Sequence, residues 1–390
     1  IAIVHPDLMM KGGGEAVCIN ILEALQKSYN VTLLTTTTPD FTELNKFFGT
    51  SVSDVKIKKP TDAAMRSAKW ASSSLPINIG LAAFQYSLLY RHARNVQNAY
   101  DLVISTRDEI GFNTKALQYI HIPTRGLIKN GGRETIPGYR GNTSALYEIY
   151  DHMCNIISGF STERVRQSRL LTNSDWTANL IEEIYNTEAE VIYPPIDIYE
   201  FANPAWEQRE SGFVMIGRLS PEKRILRSIK IIERLHEYNN DIHIHVIGPK
   251  EDTEYSGQVE QYAAERDYVY LDGECDRKDL IERIQQHKYG IHGKEFEHFG
   301  MVVAEMIAGG TIPFVHNSGG QTDIVLNDDR LIYDDVEEAV QKAKKVIGDS
   351  SLQQELAKML TDSVHRFSKQ TFQQQIRNIV SEEINPDKNA

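Results

Sequence analysis

The 390-residue chain has little cysteine, no excess of positive charge and no glycine-rich fingerprint of a standard kind. Its three cysteines, Cys18, Cys154 and Cys275, are scattered and form no CxxC pair. That excludes a disulfide scaffold and a cysteine-based zinc module, and it fits a reducing compartment such as the cytoplasm. Lys and Arg number 42 against 54 Asp and Glu, a net charge of −12. A dedicated nucleic-acid binder would be basic, so nucleic acid is not an expected partner. Neither GxGxxG nor a Walker A loop occurs, which removes those two phosphate-binding signatures. There is no internal repeat, no low-complexity tract and no recognisable signal peptide. The longest uncharged run lies between Lys69 and Arg91. Four serines, Asn78, Gln85 and Pro76 lower its hydrophobicity, so it reads as a loop followed by a buried or interfacial helix, not a membrane span.

What is present is an alternation. Short β-branched runs are expected as strands at Ile1–His5, Val31–Thr35, Leu102–Ser105, Leu117–His121, Leu170–Asn173 and Val191–Tyr193. A second series is expected at Phe213–Ile216, Ile242–Ile247, Tyr268–Leu271, Tyr289–His292, Ile312–Val315 and Arg330–Tyr333. Helical patterns such as Glu15–Ser28, Trp176–Tyr185, Ile225–Tyr238, Asp276–Gln286 and Met301–Ala308 separate them. Apolar runs of this kind indicate parallel strands covered on both faces. Two series imply two doubly wound α/β domains. Pro194-Pro195 interrupts the pattern, which places a boundary at 195/196. The expected domains are 1–195 and 196–368, with 369–390 forming a helix that crosses back to the first domain and then a polar tail. Ligands of such sheets bind outside the carboxyl ends of the strands, so chemistry is expected in a cleft between the two domains.

Three segments carry chemistry. Lys11-Gly12-Gly13-Gly14-Glu15 follows the first strand and opens a helix, where glycines admit a phosphate to a helix N-terminus. Gly217-Arg218-Leu219-Ser220-Pro221-Glu222-Lys223 follows the first strand of the second series. Arg218 and Lys223 can neutralise a diphosphate, and Ser220-Pro221 suits an N-cap with Pro at N1. In Glu297-His298-Phe299-Gly300-Met301-Val302-Val303-Ala304-Glu305 the two glutamates stand eight apart, one in a loop and one inside the helix. The amides of Gly300, Met301 and Val302 would face phosphate oxygens, and Glu305 would accept from ribose hydroxyls.

Together with Tyr119–His121, Thr172–Thr177 (TNSDWT) and Val191–Asp197 (VIYPPID), these segments resemble the family 4 retaining glycosyltransferases of the GT-B fold, two Rossmann-like domains facing across a cleft. The resemblance covers nearly the whole chain. His5-Pro6, KGGGE, Tyr119–Pro123, EHFGMVVAE and His316–Gly320 (HNSGG) are most similar to the branch that uses GDP-mannose to extend dolichol-linked oligosaccharide. The resemblance implies a nucleotide-diphosphate sugar donor and a glycan or polyprenyl-linked acceptor. Arg218 and Lys223 would hold the diphosphate, with Phe299, Gly300, Met301 and Val302 beside it, and Glu305 would hold the ribose. Glu297 would orient the sugar, His121 would approach it from the other face, and Gly13 and Gly14 would lie near diphosphate and acceptor. No D-x-D occurs, so no metal and no cofactor are expected, and the cation role falls to Arg218 and Lys223. Front-face displacement, in which the leaving phosphate takes the acceptor proton, is favoured over a covalent intermediate on Glu297. The family usually has a Gly after the GRLSPEKR stretch; here Ile225 follows.

Residues 51–170 carry 16 basic against 9 acidic side chains, and with Trp70, Arg66 and Lys69 they could face an anionic membrane as a peripheral contact. A UDP-glucose-type enzyme on the same fold and a non-catalytic sugar-nucleotide-binding protein are the competing readings. Intact Arg218, Lys223, Glu297, Glu305 and His121 argue against the second. His243 and His245 alternate on one strand, and without a third ligand they read as structural. His292 ends a strand where it could touch phosphate or base.

Overall fold

The computed structural model describes residues 1–61, 81–129, 145–202 and 204–385, without the side chains of residues 81 and 145–147. Trp70, Arg66 and Lys69, the first part of the uncharged run, and residues 386–390 of the polar tail lie outside the described residues.

The chain divides into two compact units, Ile1–Pro195 with Lys369–Ala390, and Ile196–Ser368. In the first unit the strands are Ala2–Val4 (β1), Val31–Leu34 (β2), Val55–Lys58 (β3), Val103–Ser105 (β4), Ala116–Ile120 (β5), Arg169–Thr172 (β6) and Glu190–Val191 (β7). They pair in the order β3-β2-β1-β4-β5-β6-β7, and every pairing is parallel. In the second unit Glu210–Ile216 (β8), Ile244–Ile247 (β9), Val269–Gly273 (β10), His287–His292 (β11), Ile312–His316 (β12) and Ile332–Tyr333 (β13) pair in the order β10-β9-β8-β11-β12-β13. These too are all parallel. Each sheet is doubly wound, as the two series of apolar runs predict. All twelve expected strands are present.

The sheet gains one strand that the apolar pattern does not announce. Val55–Lys58 (VKIK) is half-buried at one end and exposed along the rest. It is an edge strand, where lysines discourage pairing with another chain, so it lacks the apolar run that marks a central strand.

Each sheet is sandwiched. On one face of the first sheet, Ile3, Leu33, Ile104 and Tyr119 pack with Val17, Ile21 and Leu25 of the helix Gly13–Leu25 and with Phe372, Ile376, Ile379 and Val380. The last four belong to the helix Lys369–Ile384, so the end of the chain is part of the first unit's core. Burying side chains of this size stabilises by about 1.5–3 kcal/mol each. On the other face, Val4, Leu34 and Val103 pack with Leu89, Tyr90 and Ala93 of the helix Leu81–Val96. That helix continues the uncharged run, and its buried stripe is the buried-helix part of the sequence reading.

The winding direction reverses between β1 and β4 in the first unit and between β8 and β11 in the second. At such a switch point the loops leave the carboxyl ends of neighbouring strands in opposite directions and open a crevice for ligand. The loop after β1 holds the triple glycine, and the loop after β8 holds Arg218 and Lys223.

Candidate functional site

In the second unit, β8 ends at Ile216 and β11 ends at His292. The turn after β8 is tighter than an N-cap with Pro at N1 of a long helix. Pro221–Lys223 is a single 3-10 turn, and Arg224 adopts the left-handed conformation with φ 55° before the helix Ile225–His236 starts. Arg224 is held there by an ion pair to Glu295 at 2.8 Å, which Arg227 shares at 2.8 Å. The Lys223 stem lies over Gly217, where an added Cβ would come within 3.1 Å of it. The Lys223 ammonium is thereby aimed at Glu297, 3.6 Å away.

Glu297 is the hub of this region. Lys294 Nζ donates to its Oε1 at 2.9 Å, His292 Nε2 lies 3.3 Å from its Oε2, and the His298 amide donates to Oε1 at 3.2 Å. Burial opposes its ionisation, but the His292 hydrogen bond and the Lys294 and Lys223 charges outweigh burial and hold the carboxyl well below its usual range. Burial keeps the Lys223 ammonium below its ordinary value, with Glu297 restoring part of the shift. Burial lowers His292 and carries His298 down to about 4, so both imidazoles are neutral near pH 7. Two ammonium groups face one carboxylate, which leaves a net positive charge in a largely desolvated place, suited to an anion.

The HNSGG segment holds the Glu297 loop in place. Gly320 N donates to Glu297 O at 2.7 Å, and Ser318 Oγ accepts from Phe296 N at 2.9 Å. Gly319 has φ 92°, and a Cβ there would sit 2.1 Å from Glu297 O, so only glycine fits. Gln321 Nε2 donates to the carbonyls of Lys294, His316 and Ser318.

The helix Met301–Ala308 begins at Gly300, φ 103°, without a side-chain cap. The amides of Gly300, Met301 and Val302 stand at its N-terminus, where the helix dipole favours negative charge. Phe299 is buried and packs edge-on against Phe367 at 5.7 Å, so its side chain is core; only its backbone belongs to the loop. Glu305 lies one turn inside the helix and pairs through Oε1 with Arg277 at 2.6 Å, which also pairs with Glu200 at 2.9 Å. Arg218 is the least confined of the expected cations. Its side chain is 58% exposed and its two guanidinium nitrogens reach Glu251 at 2.7 Å and Glu222 at 3.3 Å.

In the first unit, Gly12 is the N-cap and Gly13 and Gly14 are the first helical residues. Glu15 accepts from the Gly12 amide at 2.8 Å, the half of a capping box that a glycine N-cap allows. The same carboxylate lies 3.2 Å from His5 Nε2 and 3.1 Å from Arg107, and His5 Nδ1 is 2.9 Å from Thr106 Oγ1. Burial would lower the His5 imidazole, but Cys18 and Glu15 carry it up to about 9. Burial would raise Glu15, and His5 with Arg107 brings it down to about 2. His121 follows β5. Its carbonyl accepts from Asn173 Nδ2 at 3.1 Å, and a Cβ on Gly14 would lie 3.4 Å from its Nε2. Gly14 and His121 are therefore neighbours, although 107 positions apart in the sequence. Within TNSDWT, Ser174 caps the helix Asp175–Tyr185, a structural task.

The second unit thus gathers Lys223 and Glu297, with Glu305 on the helix that follows the Glu297 loop, and the first unit gathers Gly14 and His121. The sequence reading missed Lys294, whose K-x-x-E spacing to Glu297 was a usable signal. It also missed the pairing of His5 with Glu15, and it missed Arg277 and Arg107, whose partners are distant along the chain and leave no local signal. His243 and His245 do have a third histidine near them, His287, which corrects the expectation that they stand alone.

Residues 199–362 match the family model described as glycosyl transferases group 1. The chain is similar to the GDP-Man:Man(3)GlcNAc(2)-PP-Dol alpha-1,2-mannosyltransferase of Dictyostelium discoideum, with 22% identity over 99% of this chain and 85% of the relative. The protein of the same description from Mus musculus is 24% identical over 84% of this chain and 74% of the relative. Among solved structures, Anabaena HepE in complex with UDP matches with a TM-score of 0.69 at 15% identity, over 98% of this chain and 99% of that one. That likeness is one of fold, GT-B.

Proposed function

We propose that the chain, whose residues 199–362 match the model of group 1 glycosyl transferases, is a glycosyltransferase that transfers mannose from GDP-mannose to a dolichol-linked oligosaccharide with retention of configuration. The donor and acceptor follow the description shared by the relatives from Dictyostelium discoideum and Mus musculus. The observation that carries the reading within this chain is the Glu297 cluster: a half-buried carboxylate with Lys223 and Lys294 beside it, next to an uncapped helix N-terminus.

In this reading Lys223, Lys294 and the amides of Gly300, Met301 and Val302 meet the diphosphate. As the bond from the anomeric carbon to the phosphate oxygen breaks, negative charge grows on the leaving nucleotide, and preplaced cations stabilise it. Arg218 joins them by exchanging its exposed contacts with Glu251 and Glu222 for the phosphate. Glu305 holds the ribose hydroxyls with the oxygen that Arg277 leaves open. Glu297 orients the sugar. Its lone pairs are committed to Lys294, His292 and the His298 amide, and its basicity is low, which makes it a poor nucleophile. The acceptor hydroxyl therefore bonds to the anomeric carbon on the face the phosphate leaves, and its proton passes to a leaving phosphate oxygen. No metal is invoked. Gly13, Gly14 and His121 of the first unit serve the acceptor and the sugar.

A peripheral membrane contact, on the cytoplasmic face, suits a dolichol-linked acceptor and the basic stretch within residues 51–170. Among the described residues no helix is long and apolar enough to cross a membrane. Flotation with anionic vesicles tests this contact, and a protein that stays at the bottom of the gradient removes it. For the reaction itself, donor hydrolysis is measured across GDP-, UDP- and ADP-sugars. GDP-mannose should be consumed fastest; preference for a UDP-sugar overturns the donor assignment. Calorimetry of GDP binding to Glu305→Ala should show a large loss of affinity, and unchanged affinity removes the ribose assignment.

A further inference from the structure

We propose that Glu210, His243, His245 and His287 form a binding site for a zinc-class divalent cation at the amino-terminal edge of the second unit's sheet. The site lies at the opposite end of the strands from Lys223 and Glu297. Glu210 opens β8, His287 opens β11, His243 immediately precedes β9 and His245 is its second residue. β8 has seven residues, about 20 Å of extended chain, so the cluster is remote from the donor-side groups.

The atoms converge with the spacing a metal needs. His243 Nε2 and His287 Nε2 are 3.3 Å apart. Glu210 Oε2 is 3.2 Å from His243 Nε2 and 3.9 Å from His287 Nε2. In a tetrahedral site with metal–ligand bonds of about 2.0–2.1 Å, neighbouring ligand atoms stand about 3.3 Å from each other. One ligand atom from each of the three histidines falls within 4.8 Å of the other two, so His245 closes the set with a small movement.

The second ring nitrogens are all engaged by acceptors. His243 Nδ1 is 3.0 Å from Asp241 O, His287 Nδ1 is 2.7 Å from Arg283 O, and His245 Nδ1 is 2.8 Å from an Asp272 oxygen. A carbonyl or carboxylate facing Nδ1 makes that nitrogen the N–H donor, which leaves Nε2 as a bare lone pair. Fixing the tautomer in this way is the usual outer support of metal-bound histidine. Two bare lone pairs 3.3 Å apart repel each other unless something positive lies between them. That is either a proton, making one ring an imidazolium, or a metal ion.

Gly212 lets both rings close over the strand: a Cβ there would stand 2.3 Å from His243 Nε2 and 2.7 Å from His287 Cδ2 and would push them apart. Imidazole and carboxylate donors in this combination suit zinc and its first-row neighbours more than magnesium or calcium. The ion would tie together the first residues of three adjacent strands, and its binding free energy would add to the stability of the second unit.

The test uses the full chain after chelator dialysis, titrated with zinc chloride by calorimetry and with cobalt chloride by visible absorption. One equivalent of zinc should bind, cobalt should give the strong visible bands of a four-coordinate site, and zinc should raise the melting temperature. His287→Gln and Gly212→Ala should each abolish the equivalent, and Asp272→Asn, which removes the support of His245, should weaken it about 10- to 100-fold. Glu210 is 57% exposed, so Glu210→Gln keeps the fold and still has to weaken binding if His287→Gln does not fold. Failure to bind an equivalent of zinc, or binding of the same strength in Glu210→Gln and Gly212→Ala, overturns the site and leaves a proton shared between His243 and His287.

Discussion

Each unit sets one glutamate beside a histidine at the switch point of its sheet, and the two histidines differ in charge. Glu15 sits with His5 and Arg107 in the first unit; Glu297 sits with His292, Lys294 and Lys223 in the second. Burial lowers both imidazoles. In the first unit Cys18 and Glu15 overcome it and His5 is cationic, held up to about 9. In the second, two lysines already supply the positive charge, and their repulsion adds to burial, so His292 stays below its ordinary value and neutral. The first pair is closed. Its glutamate caps the Gly12 amide, and Asp108 acting on Arg107 supplies the second negative charge that matches its two cations. The second has one more cation than its carboxylate needs, and that surplus is what an anionic donor would meet. Similar parts therefore make a structural lock in one unit and, under the proposed function, a binding site in the other.

The largest effect expected from breaking this contrast is on stability. Glu15→Gln leaves the buried His5 and half-buried Arg107 without their carboxylate, and removing one partner of a buried ion pair costs about 3–5 kcal/mol. Chemical denaturation of Glu15→Gln should show that loss, while GDP affinity of the folded fraction is retained. A loss below 1 kcal/mol would mean that Glu15 is no lock. Lys223→Ala reverses the pattern. It removes surplus charge from the second site, so stability should change little while transfer falls about 10²–10³-fold, the usual cost of losing one preplaced donor to developing negative charge. Steady-state transfer with GDP-mannose measures it, and a loss under tenfold would take Lys223 out of the leaving-group role.

Sequence and structure divide along the same line. The fold was legible because parallel strands buried on both faces leave uninterrupted apolar runs, and only the lysine-bearing edge strand Val55–Lys58 escaped. Arg218, Lys223, Glu297 and Glu305 stand out as candidates because loops at strand ends carry short, dense motifs. What the motifs could not convey is pairing. The motif announces Glu297 but not the three neighbours that hold its oxygens. Arg218 and Lys223 read from the sequence as two cations for one diphosphate, yet one is exposed and tied to two acids and the other is half-buried against Gly217. His287 is 42 residues from His245, and only the β9-β8-β11 order brings them together. Contacts across a sheet depend on strand order and register, and a single sequence holds neither in local form.

The pH response sharpens the contrast further. A histidine raised from 6.5 to about 9 by folding contributes stability in full below pH 6.5, and loses it as pH rises toward 9. Glu15, lowered from 4.5 to about 2, contributes in full above pH 4.5 and loses it as pH falls toward 2. The first unit's lock is thus complete between about pH 4.5 and 6.5. His298 has the opposite sign: lowered from 6.5 to about 4, it costs stability as pH falls from 6.5 toward 4. Denaturation midpoints should therefore decline from pH 6.5 to 9 in the wild type and run flatter in His5→Gln. Equal slopes in the two proteins would show that His5 does not carry the charge.

The smallest effect tests whether the first unit takes part in the reaction beyond its lock. At Gly14 an added Cβ meets His121 Nε2 at 3.4 Å, ordinary contact distance, in a helix where alanine is favoured over glycine by up to about 1 kcal/mol. Gly14→Ala should therefore be neutral or slightly stabilising by thermal denaturation, and it fills the space beside the imidazole without removing any charge. If His121 and the glycine loop serve the sugar and acceptor, transfer should fall several-fold while donor hydrolysis to water falls less, because water needs none of the space that an acceptor does. Equal losses in both would place the defect in donor binding. Unchanged rates would confine Gly14 to the helix start, and the division of labour between the units would then rest on His121 alone.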